Sequence, residues 1–402
     1  MSSSPSGVQP AAKKPRIPEI DILRTMAILA VIMIHATGFM LSKLDKASSY
    51  YLPYSALQNL SAFAVPVFIF ISGFVLFYSY LEKPITSRLL GTFYRKRMLT
   101  AVVPYIAFSV IYYLVRHRND PDLLTLPNLK HFGYLLLTGQ AYTHLYYMIV
   151  IIQFYLLFPL LLYAMQKIKR PLIILLAGVL VQWAYYFVNR EVIVKLTNIP
   201  EVLHQTGDFF TSYIAYFMFG AYLAAHGERF MAFARFQKPG QSAWGRSIPW
   251  IFIFAVWLGA GLYYAYINYM GAAHKIWATS QTFQSVWFVY NLASGLVLFR
   301  LAIWVYKALG SGWRQAVLLI GQCSFGIYLL HPLVLMYYRK LPVSGNPLLF
   351  HLYFIGEYAS ALLLSWAITY FLMRRFRWSW VLFGSSLAKR QIGNGSGSGQ
   401  PG

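Results

Sequence analysis

Long apolar runs alternate with short polar, often basic, breaks along the whole chain. Ten runs approach the roughly 20 residues that an α-helix needs to cross a hydrocarbon core. They lie at about 20–41, 60–81, 98–115, 144–165, 171–188, 209–225, 249–270, 284–305, 322–338 and 353–373. The pattern predicts an all-α polytopic membrane protein of about ten transmembrane helices. Two connections, about 116–143 and 189–208, are longer than a simple link requires. Their apolar stretches at 132–137 and 192–194 suit an interfacial position or a cover over a cavity mouth. The basic connection at 226–248 carries Phe230, Phe233, Phe236 and Trp244, a mix that reads as a headgroup anchor rather than a ligand site. The membrane domain spans residues 18–376. It is flanked by a disordered basic tail at 1–17 and a cytoplasmic tail at 377–402, which is Gly/Ser-rich from 391.

Composition agrees: 58% of residues are hydrophobic and 11% charged, against about a quarter charged in soluble domains. A net charge of +23 would suit a nucleic-acid binder, but the cations flank the apolar runs, so topology explains them better and no nucleic acid is expected. With the first residue inside, the inner segments hold more than twice as many Lys and Arg as the outer ones. Every inner segment has at least two, which predicts both termini in the cytoplasm. A nine- or eleven-helix chain would break that alternation. A single cysteine, Cys323, excludes an internal disulfide and a cysteine metal cluster, and no metal site is expected. The polar start predicts no cleavable signal peptide. No internal repeat is visible, which weighs against an inverted-repeat transporter.

The first run, Asp21-Ile-Leu-Arg24 through His35-Ala-Thr-Gly38, organises the rest. Arg24 and His35 are eleven positions apart, about three helical turns and about 16 Å, so they share a face. With Arg24 at the headgroups, His35 hangs near mid-bilayer, where a titratable ring must face a partner or a wet cavity. Asp21 reads as a helix cap. Arg95-Lys96-Arg97 closes a basic approach to the third run. By default such a cluster sets topology or holds anionic lipid, and it equally suits a phosphate clamp with Arg24. Ser72-Gly73 in the second run permits close helix contact or offers a hydroxyl to a ligand. His144-Leu-Tyr-Tyr147 opens the fourth run, where an acceptor from outside would enter. In Ser324-Phe-Gly-Ile-Tyr328-Leu-Leu-His331-Pro332, Tyr328 and His331 share a face one turn apart. Glu357 is the one acid within the last run, and a buried histidine is its candidate partner. No P-loop, HExxH, EF-hand, GxGxxG or GxSxG pattern occurs.

These residues resemble the membrane-bound acyltransferase 3 family, the O-acyltransferases of surface glycans, over about residues 18–375. The resemblance rests on Asp21-x-x-Arg24 with His35 eleven residues on, Phe68-x-x-x-Ser72-Gly73, Phe93-Tyr94 leading to Arg97, His144-Leu-Tyr-Tyr with Tyr155 and Pro159, Tyr216-Phe217 with Gly220, and Ser324 to Pro332. Thr100 stands where many members have a second arginine, and Tyr146 where many have tryptophan. Both departures are similar to the branch of intercellular-adhesion polysaccharide modifiers.

The resemblance implies an acyl-CoA donor, acetyl-CoA by preference, bound from the cytoplasm without a metal. It implies a catalytic His35, with Arg24 and Arg97 holding the donor. Arg95 and Lys96 then join the donor clamp. Glu357 holds the catalytic ring, and Ser72, His144, Tyr147, Tyr328 and His331 line the substrate path. The expected acceptor is a hydroxyl of a surface glycan or lipid-linked sugar, with membrane lipid and glycan synthesis or export proteins as partners. The expected location is a bacterial plasma membrane. The rival reading is a transporter or flippase of a glycan or lipid-linked sugar using the same cavity.

Overall fold

A computed structural model describes residues 14–197, 200–237 and 242–385. Of the tails predicted at 1–17 and 377–402, residues 1–13 and 386–402, with Lys13, Lys389 and Arg390, lie outside them, as does Lys238 of the basic connection. Fifteen α-helices make up the described chain: α1 (Glu19–Lys43), α2 (Tyr51–Leu60), α3 (Ala64–Tyr80), α4 (Ser87–Arg97), α5 (Val103–Arg116), α6 (Leu126–Thr138), α7 (Tyr146–Ile168), α8 (Pro171–Glu191), α9 (Ile214–Ala225), α10 (Gly227–Ala234), α11 (Ala243–His274), α12 (Ser280–Ala308), α13 (Ser311–Tyr338), α14 (Pro347–Arg375) and α15 (Trp380–Phe383). No strand occurs among the described residues. Side-chain caps start several of the helices: Thr86 accepts from Leu89 N, Ser242 from Gly245 N, Thr279 from Thr282 N, and Asn346 from Leu348 and Leu349 N.

All ten predicted segments are helical, and nine spans among the described residues are long and apolar enough to cross a membrane. The second is α2 running into α3, and the third is α4 running into α5 through a π-helical turn, Met98–Val102. The sixth differs. It is the short α9, 12 residues and about 18 Å long, entered through 3₁₀ turns at Thr206–Asp208 and Phe210–Ser212. Broken backbone at membrane depth needs substitute partners. Gln153 accepts from Phe210 N (2.8 Å) and donates to the Asp208 carbonyl (2.9 Å), and Gln182 accepts from Ala215 N (3.0 Å). The helix itself is wrapped by protein, with Ala215, Phe217 and Ala221 fully buried. It runs tightly against α3. A Cβ on Gly73 would overlap the Phe217 backbone, and one on Gly220 the backbones of Phe70 and Phe74.

Contacts sort the helix ends into two faces. On one, Lys14 pairs with Glu82 (2.6 Å), Arg235 with Glu19 (2.7 Å), and Gln166 donates to the Leu81 and Lys83 carbonyls. The start of α1 and the ends of α3 and α7 therefore lie together, and this is the face on which the sequence places its excess of cations. On the other, Tyr54 hydrogen-bonds His351 (2.9 Å) and Tyr338 donates to the Tyr353 carbonyl (3.2 Å), joining α2, the end of α13 and the start of α14. The long connection after α5 forms α6, held by Tyr105 and Tyr113 hydroxyls on the Leu136 and Asn128 carbonyls, with Leu126, Leu129 and Leu137 exposed. In the basic connection, Phe233 stacks on Trp250 at 4.8 Å while Trp244 is exposed.

Candidate active site

A cavity of about 250 Å³ opens between α1, α3, α7 and α13, toward the basic face. Two guanidinium groups enter its wall. Arg24 comes from the second turn of α1, where its Nη1 donates to Asp21 Oδ1 at 3.0 Å. Asp21 also pairs with Arg16. It is therefore a carboxylate shared by two arginines inside the first turn of α1, not the predicted cap, and its neighbour Pro18 occupies the cap position. Arg97 comes from the last turn of α4. Its guanidinium lies over the rings of Tyr155 (4.8 Å) and Phe93 (5.3 Å). It has no ion pair among the described residues, and its buried Nε has no hydrogen-bond partner. Aromatic rings hold a cation in place without neutralising it, and a buried donor without an acceptor is costly unless a ligand supplies one.

The predicted Ser72, Tyr147 and Tyr328 all line this cavity. The Ser72 hydroxyl also donates to the Phe68 carbonyl (2.9 Å). Arg95 and Lys96 do not line it. Both sit exposed on α4, because consecutive helical residues turn by about 100° and one alone of the three cations can face inward. Just beyond, the π-helical turn brings Thr100 and Ala101 to the cavity. Such turns recur at functional sites, and here one is seated by the α15 hairpin: Gly384 has φ +65° and lies so close to the Thr100 backbone that no Cβ would fit. Sequence reading missed this wall, as it missed Gly321 and Gln322. Gly321 is the crossing point of α13 and α1, where a Cβ would overlap the Asp21 carbonyl.

Three histidines gather beyond the two tyrosines. The rings of His35 and His331 are 5.2 Å apart, those of His144 and His331 5.7 Å, and His144 and Tyr328 5.1 Å. The His35 ring thus faces α13, inside the bundle. It does not line the basic cavity. The expected single passage from Arg24 to His35 is not continuous in this cavity, whose lining includes Tyr147 and Tyr328, their rings 5.4 Å apart, and not His35. The Tyr328 hydroxyl is anchored on the His144 carbonyl. His144 itself is buried rather than at an open mouth, and both its ring nitrogens lack partners. His331 Nδ1 lies 3.0 Å from the Ile327 carbonyl. A carbonyl can only accept, so Nδ1 carries the proton and the buried, unpartnered Nε2 keeps its lone pair.

Glu357 does not hold a histidine. Its Oε1 accepts from Arg339 Nε at 2.7 Å, and Arg339 Nη2 donates to the His35 carbonyl at 2.8 Å. The carboxylate therefore reaches His35 through an arginine, onto the backbone and not the ring. Sequence reading assigned Arg339 to an outer loop. In the fold it caps the C-terminus of α13 and folds back over the Phe39 ring at 4.6 Å. Among the described residues no group of three or more His, Cys, Asp or Glu side chains, the histidine trio included, is placed to hold a metal ion.

Comparison with protein-family models matches residues 17–370 to the acyltransferase 3 family, described as an acyltransferase domain. The chain belongs to the acyltransferase 3 family. Comparison with curated proteins and with solved structures gives no match. The protein is thus a multi-pass membrane acyltransferase.

Proposed function

We propose that the protein moves an acyl group, acetyl by preference, from a CoA thioester on the cytoplasmic, basic face to a hydroxyl of a surface glycan or lipid-linked sugar on the other, in a bacterial plasma membrane. The observation that carries this reading is Arg97, an unneutralised cation held against two aromatic rings in the wall of a cavity that also receives Arg24. The cavity's volume is below the roughly 300 Å³ at which small-molecule pockets begin. It suits the slender pantetheine arm and its pyrophosphate, with the nucleotide left outside near the exposed Arg95 and Lys96.

In this reading Arg24 and Arg97 hold the phosphates through charge-assisted hydrogen bonds. The arm passes the Tyr147–Tyr328 pair, whose side chains must swing for the thioester to reach His35. Neutral His35 takes the proton of the acceptor hydroxyl as its oxygen attacks the thioester carbonyl. The C–S bond then breaks, and the CoA thiolate leaves with the proton from the imidazolium. General-base help of this kind is worth roughly 10²–10⁴-fold. His331, with Nδ1–H committed to a carbonyl, offers only an acceptor at Nε2 and keeps that side of the site ready to take a proton. Arg339, backed by Glu357, fixes the backbone of α1 at His35.

Thermal unfolding of the purified protein in nanodiscs tests the donor site. CoA raises the transition temperature of the wild type by mass action. In Arg97→Ala one charge-assisted contact is lost, about 1.5–3 kcal/mol, and the CoA concentration needed for the same protection rises by roughly 10- to 150-fold. Equal protection in both proteins would remove Arg97 from donor binding.

A further inference from the structure

A second cavity, of about 400 Å³, lies between α8, the 3₁₀ turns before α9, and the start of α12. Its place in the fold is set by the connection between α7 and α8. The α7–α8 junction lies at the basic face, through Gln166 on the Leu81 and Lys83 carbonyls, so the far end of α8 lies at the opposite one. The second cavity and the arginine-lined one therefore open toward opposite faces.

Its α8 wall is a polar stripe on a helix otherwise made for lipid. Gln182, Tyr185, Tyr186, Asn189 and Arg190 follow one another at helical spacing and all line the cavity. Polar groups at such depth are expensive and point to function. Asn189 is 4% exposed, yet its Nδ2 has no hydrogen-bond partner, while the Gln182 amide lies beside the Tyr216 hydroxyl. The Tyr186 hydroxyl and Arg190 Nη1 are likewise buried without partners. The orientation of the Gln182 amide is fixed, because its Oε1 accepts from Ala215 N. Across the cavity stand the rings of Tyr213 and Trp287.

The chemistry of these groups narrows the ligand. The unpartnered atoms are donors, so the ligand is rich in acceptors, which excludes a metal cation. The one cation in the stripe, Arg190, already pairs with Glu191 (3.2 Å), so a full negative charge is not called for. Aromatic walls beside amide and hydroxyl donors suit a ring with hydroxyls at its edge and C–H groups on its face. We infer that this cavity binds a neutral, hydroxyl-rich sugar ring, and that the ring belongs to the acceptor. The word acceptor rests on the acyl-transfer reading. The link between the sites is α7: Tyr146, at its start, lies beside Tyr213 of the second cavity, and the next residue, Tyr147, lines the arginine-lined one.

Saturation-transfer NMR on the protein in nanodiscs tests the inference, with the methyl glycosides of glucose, galactose and N-acetylglucosamine as probes and inorganic phosphate as the competing anion. At least one glycoside should give a saturable signal that phosphate does not displace. Asn189→Ala should weaken it roughly tenfold, the effect of losing one well-made hydrogen bond. Tyr186→Phe, which removes one oxygen and keeps the ring, should weaken it as well and serves if Asn189→Ala does not fold. No saturable signal, displacement by phosphate, or signals unchanged in both variants would overturn the sugar site. CoA protection from unfolding, measured on the same samples, separates the two readings. Its survival alongside a failed sugar signal leaves the donor site standing, and its failure alongside a sound sugar signal leaves the sugar site standing but no longer an acceptor site.

Discussion

At the scale of single residues, the pair Arg339–Glu357 shows how a buried charge is made tolerable. Glu357 is 0% exposed, and the Arg339 side chain 27%. Removing one partner leaves the other charge buried and uncompensated, whereas removing both can be nearly neutral. Glu357→Gln is therefore expected to lower stability at the low end of roughly 3–5 kcal/mol, because Arg339 keeps some access to solvent. The double variant Arg339→Met, Glu357→Met should recover much of that loss. Denaturation of Glu357→Met, Arg339→Met and the double variant in nanodiscs, compared as a double-mutant cycle, reads the difference. Losses that simply add would show that the two groups do not act as a unit. The cations show what a sequence can and cannot disclose. Arg24 and Arg97 were legible because spacing puts each at a helix end that must meet phosphate or headgroup. That Arg97 rather than Arg95 or Lys96 turns inward was not legible, since it depends on which face of α4 meets Tyr155. The partner of Glu357 was hidden for a similar reason, as Arg339 follows the apolar run and looks like loop until α13 is seen to carry it back over Phe39.

At the scale of elements, α9 is where hydropathy and structure part. Periodicity marked an apolar run of ordinary length, but its first five residues precede α9, three of them in a 3₁₀ turn, in a stretch that glutamines on α7 and α8 stabilise. A hydropathy window does not sense long-range side-chain-to-backbone bonds, so the shortening could not be read. The glycines were better signals. Gly73 on α3 meets the Phe217 backbone of α9, and Gly220 on α9 meets the Phe70 and Phe74 backbones of α3. Gly220→Ala should destabilise the fold by about 1–3 kcal/mol or more, as overpacking does. Gly91→Ala on α4, where a Cβ meets nothing within 4 Å, should be neutral or gain up to about 1 kcal/mol in helix propensity. Thermal unfolding of both variants checks the contrast, and equal behaviour would mean that α3 and α9 are not tightly docked.

At the scale of the whole molecule, the claim is directional. A donor cavity sits toward one face, a polar cavity toward the other, and a histidine group lies between. The orientation in the membrane follows from the basic face being cytoplasmic. Cys323 is fully buried, so single cysteines can be placed against a silent background. In intact cells an impermeant maleimide should label Ser49→Cys, between α1 and α2, and spare Ser87→Cys, at the start of α4; the reverse pattern would invert the topology. The transfer step itself is tested most directly by His35→Gln. Membranes carrying wild-type or variant protein are supplied with acetyl-CoA and extracytoplasmic glycan, and acetylated product and free CoA thiol are measured, with CoA protection from unfolding as the check on folding and donor binding. The account predicts a loss of transfer of roughly 10²–10⁴-fold with CoA protection unchanged, and near-normal transfer by the folded variant would contradict it.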